Sequence, residues 1–232
     1  MNVAEILRKL ESLGSPENVA GMERFGITAP RSFGIATPVL KELAREVKKQ
    51  TPDRHSLALQ LWETGNYEAR AIAFFIDDPR AVTPEQMEDW ASDFDNWATV
   101  DGTCCYLFCR TPFAYRKVFE WAERDDEFVK RAAFSLIAYL AVHDKKADDD
   151  ELAPFFSLIE RHADDDRNFV KKAVNWALRQ LGKRNLELNE LAVATAERIK
   201  RQDTKAARWI ASDALRELTS EKVRVRLQKS RP

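Results

Sequence analysis

The stretch FVKRAAFSLIAYL, Phe128–Leu140, returns 41 residues further on as FVKKAVNWALRQL, Phe169–Leu181. Phe128/Phe169, Val129/Val170, Lys130/Lys171, Ala132/Ala173 and Leu140/Leu181 are identical, and Arg131/Lys172 keep their charge. A repeat of roughly 40 residues in an all-helical pattern is the spacing of stacked helix pairs, each burying its apolar face against its neighbours. Two further registers rest on position rather than identity. A forward shift of 37 carries Lys172 and Trp176 to Trp209 and Asp213, and a backward shift of 34 carries Arg131 and Ser135 to Trp97 and Asp101. Equivalent positions of such a stack line one curved face, so these residues are expected to share it.

Outward from the repeat, helix signals dominate and alternating β-branched runs bounded by turns are absent. Periodicity predicts helices over 2–13, 16–24, 38–49, 53–63, 67–77, 84–91, 95–108, 112–123, 126–141, 149–162, 167–182, 186–200, 204–217 and 220–228. Thr-Pro pairs at 37–38, 83–84 and 111–112 precede amphipathic runs, with Thr placed to cap and Pro pre-set for the first helical residue. The acidic clusters Asp148–Glu151 and Asp164–Asp166 are expected to cap helices, where negative charge favours the dipole, rather than to hold metal. The fold class is therefore all-α, an α-solenoid of helix pairs at the HEAT or armadillo spacing, with one domain over 1–228 and a basic tail at 229–232.

Composition narrows the function. The 232 residues include only three cysteines, Cys104, Cys105 and Cys109, in one apolar helical stretch and without a partner cluster. Reduced thiols in a cytoplasmic protein are expected. The N-terminal run is an amphipathic helix pattern rather than a signal peptide, and no apolar run reaches the ~18 residues of a membrane span. The net charge of −1 is unevenly spread. Residues 1–165 hold 20 Lys/Arg against 30 Asp/Glu, and residues 166–232 hold 17 against 8, so the chain goes from a net of −10 to a net of +9. That asymmetry suits a polyanion partner, although charge scattered over solvated helix faces would produce it equally well. The run Lys222, Arg224, Arg226, Lys229 and Arg231 reads either as a basic arm or as a solubilising end. His55, His143 and His162 are scattered, and neither a phosphate-binding glycine loop nor a serine nucleophile elbow occurs. No metal and no nucleotide cofactor is expected.

The chemistry-bearing candidate is FDNWATVDGTCCYLF, Phe94–Phe108, in which Trp97 and Asp101 stand one helical turn apart. On its own the pair is better explained by a packed Trp and an Asp capping the residues after Gly102. Trp176 shares its turn with Lys171 and Lys172, which points to an exposed groove, whereas Trp62, Trp90 and Trp121 fit apolar helix faces. Arg131 sits on the first turn of a strongly apolar helix, against the dipole preference. A phosphate at that helix end would favour it, as would a salt bridge to Asp125, Asp126 or Glu127.

Six stretches, AGMERFGI (20–27), LWETGNYEARAIA (61–73), DNWATVD (95–101), FVKRAAFSLIAYLAVHDK (128–145), NFVKKAVNWALRQLGKRN (168–185) and ARWIASDALREL (207–218), together resemble the AlkD-type DNA alkylation repair family. That family consists of HEAT-like repeat alkylpurine DNA glycosylases, and the resemblance runs across residues 2–226. It implies a C-shaped solenoid gripping duplex DNA along a basic concave face, and excision of N3-methyladenine and N7-methylguanine. It implies an Asp and two Trp around the lesion-bearing sugar, at Asp101, Trp97 and Trp176, and an Arg on the DNA backbone at Arg131. One position departs from the pattern: members often carry a second acid after the first Trp, where this chain has Ala98. Lys130, Arg131, Lys171, Lys172, Lys205 and Arg208 are expected to share the DNA-binding face, on a monomer that needs no membrane. A non-catalytic DNA-structure binder and a protein-binding HEAT scaffold are the alternatives.

Overall fold

The computed structural model describes residues 1–229 and, among them, consists of helices and connecting turns without a strand. The described residues fall into two compact units, one ending at Phe113 and one starting at Ala114.

The first unit contains α1 (Val3–Ser12), α2 (Pro16–Arg24), α3 (Thr37–Gln50), α4 (Arg54–Glu63), α5 (Tyr67–Ile76), α6 (Pro84–Ser92) and α7 (Trp97–Tyr106), followed by a 3-10 turn, Phe108–Arg110. Side-chain caps start most of these helices, including Asn2, Ser15, Asp53, Asn66, Thr83 and Asn96. Of the four Thr-Pro pairs, three are expected to start helices, Thr51-Pro52 being set aside, and one of the three does so: Thr83 caps α6 with Pro84 in the first turn. In the second, Ala36 is the cap residue and Thr37 is already helical. In the third, the Thr111 hydroxyl donates back to Phe108 across the 3-10 turn, and α8 begins only at Ala114. Local hydrogen bonding by Thr competed successfully with capping there.

The core of this unit is aliphatic, with Trp62 and Trp90 stacked at 3.9 Å in its interior. Two carboxylates are buried with it, Asp77, which meets His55 and Gln86 at 2.8 Å each, and Glu68. Glu68, fully covered on α5, accepts from the Ser32 hydroxyl at 2.8 Å and from the amides of Phe33, Gly34 and Ile35 at 2.9, 2.8 and 3.2 Å. Asn66 and Tyr67 add bonds from side chain and backbone to the Arg31 carbonyl. The loop between α2 and α3 is thus fastened to the first turn of α5. Gly34 holds φ +75, and a Cβ there would meet the Ser15 carbonyl at 2.4 Å.

The second unit contains α8 (Ala114–Ala122), α9 (Glu127–His143), α10 (Asp149–Leu152), α11 (Pro154–Arg161), α12 (Asn168–Leu181), α13 (Leu186–Lys200), α14 (Lys205–Leu218) and α15 (Glu221–Lys229). The 41-residue repeat is visible as contact between equivalent positions, since the rings of Phe128 on α9 and Phe169 on α12 meet at 5.4 Å. The registers of 41 and 37 connect the helix starts at 127, 168 and 205. The register of 34 does not, because Arg131 is the fifth residue of α9 and Trp97 the first of α7. Asp148 caps α10 with a full capping box, as expected. The cluster at 164–166 does not cap α12. Arg167 occupies the cap position, and Asp165 binds its guanidinium at 2.6 Å. The expected tail is helical as far as Lys229, with Val223 and Leu227 buried, and Arg231 lies outside the described residues.

Between α12 and α14, Glu217 receives Arg179 and Lys183, each at 2.7 Å. Burial pushes the Glu217 carboxyl up, but the Lys183 and Arg179 contacts outweigh it and hold the group below its ordinary range. No described helix is long and apolar enough to cross a membrane.

Two outcomes follow from these contacts. Replacing Glu68 with Gln turns an acceptor of four bonds into a group that opposes backbone donors, so unfolding free energy should fall by about 3 kcal/mol in denaturant titrations. A loss under about 1 kcal/mol would show that these amides find other acceptors. A depressed folded-state carboxyl stabilises above its unfolded value and loses that contribution as pH falls through the folded one. The stability gap between wild type and Glu217→Gln should therefore be widest near neutrality and close below the ordinary value of 4.5. A gap independent of pH in thermal melts would refute that assignment.

Candidate functional site

The stretch around Trp97 is organised by Asn96, which is buried and caps α7 by accepting from the Thr99 amide at 2.9 Å. Its amide nitrogen donates to Asp95 and to the Thr99 hydroxyl. Trp97 is thereby fixed as the first helical residue. The indole N–H donates to the Phe25 carbonyl at 2.9 Å, which ties α7 to the end of α2. Asp101 follows one turn on, half-buried like Trp97. Behind it, Gly102 rests on Phe74 of α5 so closely that a Cβ would come within 2.5 Å of the ring. The backbone carrying Asp101 is therefore set by steric contact on its far side.

Trp97 forms part of the wall of an open pocket of about 480 Å³. Met22, Phe25, Ile27, Ile35 and Tyr67 line it as well, and Phe25 is 74% exposed. The Glu68-held loop supplies Gly34 and Ile35 to this wall. Burial, followed by the charges of Glu68 and Asp95, pushes the Tyr67 phenol up to about 12, so it stays a neutral hydroxyl at physiological pH. Sequence reading assigned no role to Phe25 or Tyr67. The signal was available, since AGMERFGI and LWETGNYEARAIA both stood out, but neither carries a residue pattern that specifies a pocket.

The remaining candidates lie in the second unit. Trp176 is half-buried on α12, edge-on to Tyr139 of α9 at 4.9 Å, and Tyr139 stacks on His143 at 5.9 Å. The expected groove Trp is thus one of three aromatic rings on neighbouring helices. Arg131 is only 6% exposed, and its guanidinium donates to the Phe169 carbonyl at 2.8 Å, joining α9 to α12. Lys130 is also largely covered, with its ammonium 3.8 Å from Asp165. Lys171 lies over the Trp209 ring at 5.3 Å, while Lys172 and Lys205 are exposed. Arg208 is exposed and bound to the Asp203 carboxylate. The sequence set therefore divides into inter-helix cations, Lys130 and Arg131, and outward-facing ones. Asp213, four residues after Trp209, is engaged by Asn175 at 2.7 Å and by Arg216.

Among the described residues, no group of three or more His, Cys, Asp or Glu side chains is placed to hold a metal ion. The three cysteines are free thiols, with Cys104 buried and the other two half-buried. Burial first, then the neighbouring Cys105, pushes the Cys109 thiol up to about 11, away from the reactive thiolate.

Comparison with known proteins places the chain in a family. A solved structure of 21% identity superposes with a TM-score of 0.75, covering 94% of this chain and 95% of its own. It is described as a new family of proteins related to the HEAT-like repeat DNA glycosylases with affinity for branched DNA structures. At that identity the likeness concerns the fold, which is all-helical and HEAT-like. No curated protein matches the chain. The profile of the DNA alkylation repair enzymes matches residues 6–218. With nearly its whole length matched, the chain belongs to the DNA alkylation repair enzyme family.

Proposed function

We propose that the protein is a monofunctional DNA glycosylase that hydrolyses the N-glycosidic bond of positively charged alkylated purines, N3-methyladenine and N7-methylguanine, in duplex DNA. The observation that carries this reading is the Trp97–Asp101 pair, one turn apart at the start of α7, half-buried, in a chain of the DNA alkylation repair family. The proposal places the reaction in a cytoplasmic monomer, in keeping with three free thiols.

Alkylation at N3 or N7 makes the purine a cation, so it departs as a neutral base once the C1′–N bond breaks and needs no general acid. The sugar is left with oxocarbenium character, as in glycoside hydrolysis. In this reading the Asp101 carboxylate stabilises that charge and orients water, whose oxygen bonds to C1′ while a proton leaves to the carboxylate or to solvent. Trp97, held by Phe25, offers a ring face to the developing positive charge. Trp176 is assigned a ring face against the sugar by family resemblance alone. Lys172, Lys205 and Arg208 are exposed and suit phosphate contacts. Lys171 lies beside Trp209 and adds to that set. Arg131 and Lys130 are covered and engaged within the second unit, so their part in this reading is to hold the repeat that presents the others.

A second reading is favoured by the solved neighbour, whose description names affinity for branched DNA. In it the same scaffold binds DNA structures without cleaving a base.

One assay separates the two. Methylated duplex DNA is incubated with wild type and with Asp101→Asn, and free methylated bases are counted against the spontaneous rate. Wild type should release base well above that rate, and the variant should lose roughly 10²–10³-fold. Folded wild type that binds DNA but releases no base would support the binder instead.

A further inference from the structure

The first unit carries 12 Lys/Arg against 17 Asp/Glu, yet one of its surfaces concentrates positive charge. Lys41, Arg45 and Lys48 follow one another on α3 at spacings of four and three, which places them on one helix face. Arg110, from the 3-10 turn after α7, joins them around a pocket of about 270 Å³ whose remaining lining is Ala44, Phe75 and Tyr106. The pocket lies wholly within the first unit and shares no residue with the one beside Trp97.

Among the described residues, these charges are only partly compensated. Arg45 pairs with the exposed Glu42, but among the described residues no carboxylate lies within ion-pair distance of Lys41, Lys48 or Arg110. Lys41 is held instead by aromatic rings, its ammonium 4.7 Å from the centre of Tyr106 and 5.9 Å from that of Phe75. Lys48 is pushed below its ordinary value by burial and then by the charges of Arg54 and Arg110. Cations gathered from two elements against their own repulsion form a site that an anion would relieve.

We infer that this pocket binds a phosphate group of a DNA strand, gripped by Lys41, Lys48 and Arg110. A guanidinium fork and two ammonium groups match the oxygens of a phosphodiester. The volume is below the ~300–1,000 Å³ of sites that enclose a drug-sized ligand. Lys41 lies over one face of the Tyr106 ring, so a stacked base would have to displace its ammonium there. The contact therefore reads the backbone and not the sequence. This inference rests on the protein being a DNA binder and does not require it to be a glycosylase.

The test uses the full chain carrying Lys48→Gln and Arg110→Gln together, two exposed positions whose loss should leave the thermal melt unchanged. Affinity for an unmodified duplex is measured across salt. The variant should bind about tenfold more weakly at moderate salt, and the slope of log Kd against log salt should fall in magnitude by about 1, the contribution of one phosphate. Lys41→Gln should produce the same change. Base release at saturating duplex should be unaltered.

Unchanged affinity and slope, or a wild type that binds no duplex at low salt, would overturn the inference. Inorganic phosphate that raises the melting temperature of wild type but not of the variant, with duplex affinity equal in both, would assign the pocket to a small phosphate compound instead. A wild type that binds duplex but releases no base would remove the glycosylase reading alone.

Discussion

Glu68 is the constraint on which the first unit depends. A carboxylate without solvent is costly unless its oxygens are met by donors. Here the donors are the Ser32 hydroxyl and three consecutive backbone amides, Phe33 to Ile35. These amides belong to a loop that would otherwise have to satisfy them from solvent. Bonding them to one side chain on α5 converts that loop into a fixed wall. Everything on the near side follows: Gly34 in its left-handed conformation, Ile35 and Tyr67 along the pocket, and Phe25 within reach of the Trp97 indole.

The second unit is held by a different device. Its helices repeat, so equivalent residues touch: Phe128 against Phe169, and Arg131 of one helix against the backbone of the next at Phe169. Ion pairs at Glu217 and Asp165 close the remaining edges. Periodic apolar packing carries this unit, and charge trims it.

Much of this was legible in the sequence. The all-helical class and the repeat came from the apolar periodicity and from the identity of two helices, both of which encode neighbour packing directly. Trp62, Trp90 and Trp121 were placed correctly in the core for the same reason. Boundaries failed where short polar side chains had a choice of partner. Thr111 bonds backward instead of capping, and Asp165 turns to Arg167. Arg131 shows the limit most clearly, because a cation on the first turn of an apolar helix fits a phosphate contact as well as a bond to the next repeat. Its burial against the Phe169 carbonyl is a tertiary fact without a local signature. The α3 cations were equally hidden, since Arg110 reaches them from more than sixty residues away.

The contact between Gly102 and Phe74 has a consequence for divergence. The helix that carries Trp97 and Asp101 is located at its rear surface by an aromatic ring on α5, and at its start by the Asn96 cap and the Trp97–Phe25 bond. Front-face side chains outside those bonds can then be exchanged without displacing the backbone. Ala98, half-buried on the first turn of α7, is one position where a change needs no rearrangement of the helix. Front-face groups can in this way diverge while the close packing of Gly102 on Phe74 preserves their position.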